Sequence, residues 1–199
     1  DTQLILKSFI WTKFSNGKRR IVAKNAREGA IFGGNEIIEP MFQDFKLHAV
    51  YNYFKFAKYL GLDTSDVKVT LPKTPVEVAV RVEKLLSNAD KSKKNLVIAP
   101  ATTWKNKHWS KDNWREVVSQ IDYDKYNLIF IGTKKDEELM KYIGADDFIN
   151  LSGKTNLIEL VEVLKRADIL ISLDSGATHL AWATGRPSII SIFTSTPKE

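Results

Sequence analysis

The segment ILISLDSGATHLAWATGRPSIISIF, residues 169–193, reads as strand, turn, helix, turn, strand. The apolar run Ile169 to Leu173 stops at Asp174. Ser175-Gly176 breaks it, and Thr178 to Thr184 has the length and composition of a short helix. Gly185 and Pro187 end that helix before a second apolar run, Ser188 to Phe193. Two buried strands joined by a helix form a βαβ unit, and such a unit builds a parallel sheet. The reading places Asp174, Ser175 and Gly176 at the carboxyl end of a strand, where open α/β sheets bind ligands.

The same alternation continues upstream. Asn95 to Ala99, Leu128 to Ile131 and Phe148 to Leu151 read as strands. Ser110 to Ile121 reads as a helix capped by Ser110, with Trp114, Val117, Val118 and Ile121 on one face. Asp136 to Ile143 is a second helix. Asn156 to Arg166 is a third, opened by Asn156 and Glu159 at the spacing of a capping box. The polar stretch LLSNADKSKKN, residues 85–95, predicts a boundary, giving domains over 1–94 and 95–199. The first half is less regular. Gln3 to Phe14 and Val50 to Leu60 read as helices, the latter ending at Gly61, and Lys18 to Val22 as a strand. With so few strands, the first domain is expected to be incomplete.

With 43% apolar residues the chain can build a core, and no run of about 18 apolar residues predicts a membrane span. Lysines interrupt the apolar N-terminus, which argues against a signal peptide. The first residue is not Met, so the chain is expected to be a piece of a longer one. Zero cysteines exclude disulfides, thiolate metal sites and Cys nucleophiles. Residues 1–94 carry 17 Lys+Arg against 10 Asp+Glu; residues 95–199 carry 13 against 14. That asymmetry fits an acidic partner or an ordinary solvated basic surface. The aromatics of the basic half fall on helix faces, so nucleic acid is not expected as a partner.

Four strand ends carry candidate chemistry. After Asp174, Gly176 permits a tight turn and close backbone approach, and the helix offers unpaired N–H groups to an anion. Ser175 and Thr178 add hydroxyls, and His179 lies in the first turn. The plainer reading makes Asp174 and Ser175 turn and cap residues. The loop ATTWKNKHWS, residues 101–110, sets Thr102, Thr103, Lys105 and Lys107 before a capped helix, a phosphate-cradling composition or simply a basic surface loop. Asp136 or Glu137 follows Gly132 and could accept from ribose hydroxyls, or only favour a helix N-terminus. Lys154 and Thr155, in LSGKTN, could frame a base, or belong to a plain connection.

ATTWKNKHWSKDNWREV (101–117) and SLDSGATHLAWATGRPSI (172–189) together resemble motifs of glycosyltransferase family 9, the lipopolysaccharide heptosyltransferases. DTQLILKS, SNGKRR, NAREG and HAVYNYFKFAKYLGL resemble part of that family's N-terminal domain. The resemblance implies an α/β fold of GT-B type, with a C-terminal Rossmann-like parallel-sheet domain and an incomplete N-terminal α/β domain. It implies an inverting transfer of heptose from ADP-heptose to an acidic lipid-linked Kdo acceptor, without metal, in the cytoplasm at the inner face of the membrane. By motif position, Thr102, Thr103, Ser175, Gly176 and His179 would serve the donor phosphates. Lys107 would neutralise the departing diphosphate. Asp174 would hold sugar hydroxyls, Asp136 the ribose, Lys154 and Thr155 the base, and Lys7 the acceptor. No residue stands in for the family's general base, so the chain alone is expected to bind ADP weakly and transfer nothing. It departs from the family at Leu4 (usually Gly), at Asn52 (Arg) and in FTSTP, residues 193–197, which lacks a Gly.

Overall fold

The computed structural model describes residues 5–42, 49–65, 69–144 and 148–194. Gln3, Leu4, His48 and the end of FTSTP lie outside them. The chain forms two compact units, residues 1–68 and 69–198.

In the first unit, α1 (Leu6–Phe14) precedes the parallel pair β1 (Ile21–Ala23) and β2 (Glu36–Ile38), and α2 (Ala49–Tyr59) follows. Ala23, Ile38 and Met41 make its small core. Arg19 Nε and Nη2 donate to the two carboxylate oxygens of Glu36 at 2.8 Å each, and Tyr59 Oη donates to Glu36 at 2.9 Å. Asn52, at the position where the family has Arg, is buried, and its Oδ1 accepts from the Phe42 N–H at 2.7 Å. Leu6, Ile10, Trp11 and Phe14 are exposed on α1.

The second unit comprises α3 (Val76–Leu85), β3 (Lys94–Ala99), α4 (Lys111–Ser119), β4 (Tyr126–Phe130), α5 (Glu137–Ile143), β5 (Ile149–Asn150), α6 (Leu157–Lys165), β6 (Ile169–Leu173), α7 (Gly176–Thr184) and β7 (Ser188–Ile192). All five strands are parallel, in the order β5-β4-β3-β6-β7. The sheet is covered on both faces, as parallel sheets are. Leu96 and Ile98 of β3 join Trp114, Val118 and Met140 in one core layer. Val97 and Ala99, pointing oppositely, join Val82, Val163, Leu164 and Ala181 in the other.

The division falls well before the boundary expected at residue 94, because α3 belongs to the sheet domain. Arg81 pairs with the buried Glu159 at 2.6 Å, and Arg166 donates to the Ala79 carbonyl at 3.0 Å. Thr74 donates to Glu162 at 2.7 Å, and Val82 and Leu86 fill the core. The valines at 76, 78, 80 and 82 alternate like a strand and hide this helix from a periodicity reading. On the helix, Val82 is buried and Val78 half-buried, while Val76 and Val80 face solvent.

The chain winds outward from β3 to β5, then returns through α6 to β6 on the other side of β3. The sheet's topological switch point therefore lies between β3 and β6, and their carboxyl ends are level: Ala99 pairs with Ser172.

Candidate functional site

A cleft of about 600 Å³ opens at the carboxyl ends of the strands. Thr102 and Thr103 from the loop after β3, Thr133 and Asp136 after β4, Thr155 after β5, and Ser175 with Gly176 after β6 all line it. Six of the residues singled out in the sequence are thus brought together.

Each wall is built by local chemistry. Ser110 caps α4 by accepting from the Asn113 N–H at 3.0 Å, and Trp109 packs edge-on against the buried Trp114. His108 Nε2 donates to the Thr102 carbonyl at 2.7 Å and so ties down the threonine loop. The capping box expected at α6 is present: Asn156 and Glu159 exchange bonds of 2.8 and 2.9 Å. Gly153 has a left-handed φ of 68°, and a Cβ there would stand 3.0 Å from the Lys134 backbone. Only glycine lets the β5–α6 loop lie so close to the β4–α5 turn.

The start of α7 is different. Its N-cap, Ser175, makes no capping bond. The Ser175 hydroxyl is buried and without a partner among the described residues, although it lines the cleft. Helix-initial N–H groups lack intrahelical partners, and Gly176 and Ala177, the first residues of α7, line this wall. A Cβ built on Gly176 meets nothing within 4 Å, and its φ is not left-handed. The turn itself therefore does not need this glycine, contrary to the expectation of a tight turn. What the missing side chain leaves is open space before the helix N-terminus. The Thr178 hydroxyl is not available to a ligand: it donates to the Leu173 carbonyl at 2.8 Å and accepts from Ser172 at 2.7 Å.

Lys107 and Asp174 do not line the cleft. They form an ion pair of 2.5 Å, with side chains 24% and 19% exposed, joining the loop after β3 to the turn after β6. Asp136 lines the cleft, but its Oδ2 already accepts from the Thr133 N–H and hydroxyl at 2.8 and 2.7 Å. His179 is exposed and outside the lining. Lys154 borders a separate cavity of about 350 Å³ with Leu85, Asn88 and Phe148, so adjacent Lys154 and Thr155 face different spaces. Lys7 is exposed on α1 in the other unit.

Sequence reasoning did not single out Thr133, Lys135, Leu157 and Leu160, all of which line the cleft. Leu157 could have been found: an apolar residue directly after the Asn156 cap begins a helix at a strand's carboxyl edge. Lys135 is hidden in the charged run KKDEE.

Among the described residues no three His, Asp or Glu side chains group as a metal site, and no helix is long and apolar enough to cross a membrane.

The Campylobacter coli lipopolysaccharide heptosyltransferase 1 is 34% identical over 187 residues, covering 83% of this chain and 54% of that protein. The chain spans about half the length of the curated relatives it matches. Among solved structures, Escherichia coli ADP-heptose lipopolysaccharide heptosyltransferase II superposes with a TM-score of 0.72 at 19% identity, covering 94% of this chain and 59% of that one. The fold is therefore the GT-B-like α/β fold expected. The dodecameric heptosyltransferase TibC of Escherichia coli, solved with ADP-D-beta-D-heptose, superposes with a TM-score of 0.51 at 20% identity over 80% of this chain and 42% of that one. That structure is iron-containing, so the absence of metal expected from the resemblance does not extend to every relative. The family model for glycosyltransferase family 9 (heptosyltransferase) matches residues 6–199, essentially the whole chain, and the chain belongs to that family.

Proposed function

We propose that the second unit is the donor-binding part of a heptosyltransferase of lipopolysaccharide core assembly. In this reading it holds ADP-heptose for inverting transfer to an acidic, Kdo-bearing lipid acceptor at the inner face of the membrane. The observation that carries it is the uncapped start of α7, with a Ser175 hydroxyl that has no partner among the described residues and open space before Gly176, at the sheet's switch point. A helix N-terminus with free N–H groups favours a diphosphate.

The chemistry then divides among the cleft's walls. Gly176, Ala177 and Ser175 bind the diphosphate, with Thr102 and Thr103 across from them. Leu157 and Leu160 give the base an apolar surface, with Thr155 beside it, and Asp136 keeps one carboxylate oxygen turned to the ribose. Transfer builds negative charge on the departing diphosphate, and a positioned cation is the direct remedy. Lys107 is that cation, passing from Asp174 to the diphosphate as the donor seats. Asp174, released, accepts from sugar hydroxyls. Lys7 contributes to acceptor binding from the basic first unit. His179, exposed outside the lining, and Lys154, which borders the other cavity, are given no role in this reading. No described residue of the cleft is assigned the general base.

Calorimetry of the chain with ADP, and competition by ADP- and UDP-sugars, tests the reading. Saturable ADP binding displaced better by ADP-heptose than by UDP-sugars supports it. No heat and no competition at high ADP would remove the site, and a preference for UDP-sugars would point to a different family 9 transferase.

A further inference from the structure

We infer that Lys135 binds the anionic part of the nucleotide; this rests on the reading of the cleft as a nucleoside-diphosphate site. The starting point is a shortage of positive charge. Among the described residues, Lys135 is the only lysine or arginine lining the cleft. Lys107 lies outside the lining and must leave its ion pair with Asp174 to reach a phosphate, and Lys154 borders another cavity. The one lining carboxylate, Asp136, has its Oδ2 occupied by the Thr133 N–H and hydroxyl. Lys135 thus offsets the Asp136 charge and is the one lining side chain that can offer an incoming anion a full positive charge.

The lysine is also carried on a fixed turn. Lys134, Lys135 and Asp136 form a single 3-10 turn closed by the Thr133–Asp136 capping box. From the side, Gly153 donates its N–H to the Gly132 carbonyl at 2.9 Å and lies against the Lys134 backbone. Gly132 in turn is closely packed, since a Cβ would meet the Met140 methyl at 2.9 Å and the Asp136 carboxylate at 3.1 Å. A charge mounted on such a turn loses little backbone freedom on binding. The β4 end is two strands from the β6 end, roughly 10 Å at ordinary strand spacing. A diphosphate against the α7 N-terminus occupies part of that gap, and the lysine's four-carbon stem spans the remainder. The donor phosphates would then lie between helix N–H groups on one side and an ammonium on the other.

The test is ADP affinity by calorimetry at low and moderate salt for the full chain and for K135M, K135R and K134M. A charge-assisted contact contributes about 1.5–3 kcal/mol, so K135M should bind ADP roughly tenfold or more weakly, with a shallower salt dependence. K135R should stay within about threefold of the parent, and K134M should be unchanged. Equal ADP affinity in K135M overturns the inference. So does a K135R as weak as K135M with an unaltered salt dependence, because that pattern reports packing rather than charge. If the parent chain binds no ADP at all, the reading of the cleft itself fails and this inference falls with it.

Discussion

Replacing Asp174 by Asn should raise the affinity for ADP while lowering turnover of the ADP-sugar in the complete enzyme. Asp174 and Lys107 are 2.5 Å apart and mostly shielded from solvent. At an effective dielectric constant of about 20, opposite charges at such range attract by roughly 7 kcal/mol before desolvation is counted. Desolvation and side-chain ordering cancel much of this, leaving on the order of 1–3 kcal/mol that a diphosphate must overcome to recruit Lys107. D174N keeps the shape and a hydrogen-bond acceptor but removes the competing charge, so ADP should bind up to about tenfold tighter. K107M removes the cation the diphosphate would recruit and leaves the Asp174 charge uncompensated by it, and ADP should bind at least tenfold more weakly. Isothermal titration of both variants and of the double variant gives the coupling directly. If D174N binds ADP no better than the parent while K107M is also unchanged, the pair does not communicate with the cleft. The exchange of Lys107 between Asp174 and the diphosphate would then be wrong.

Gly176→Val separates binding from folding: a Cβ added there meets no atom within 4 Å, so thermal unfolding should move little, yet the side chain takes up the open space at the cleft and ADP binding should be lost. Gly153→Ala should do the reverse at the base, costing about 1–3 kcal/mol of stability in chemical denaturation, because a φ of 68° is strained for alanine and its Cβ would press on the Lys134 backbone. In the first unit, the hydrogen bond from Arg19, with a further one from Tyr59, holds the Glu36 carboxyl below its ordinary range. A carboxyl depressed in the folded state stabilises it above the unfolded value, and that contribution is lost as pH falls through the folded value. E36Q should therefore flatten the acid limb of that unit's unfolding curve, and an unchanged acid limb would show that the Arg19–Glu36–Tyr59 cluster is not coupled to folding.

The sheet domain was legible because its signals are local and agree with one another. Ile169–Leu173 stops at Asp174, Ser110 and Asn156 announce their helices, and the structure places strands and helices close to those marks. Two kinds of information were not local. The helix Val76–Leu85 has valines at strand spacing, and only its contacts with α6 reveal which face is buried. The cleft's membership depends on side-chain direction, which spacing cannot supply. Lys154 and Thr155 are neighbours facing separate cavities, and the Thr178 hydroxyl turns back to β6. Lys107 and Asp174 were both read as donor contacts, but nothing in two stretches 67 residues apart says that they bind each other. The short strand β2 was missed because three residues, Glu36–Ile38, give too brief a period to register.

The account's central claim is that the start of α7 receives a diphosphate. A crystal structure of the chain soaked with ADP tests it most directly. The prediction is phosphate density against the N–H groups of Gly176 and Ala177, with the Ser175 hydroxyl bonded to it and Lys107 drawn from Asp174. Phosphates bound instead in the cavity beside Lys154, or an ADP that leaves Ser175 without a partner, would contradict it.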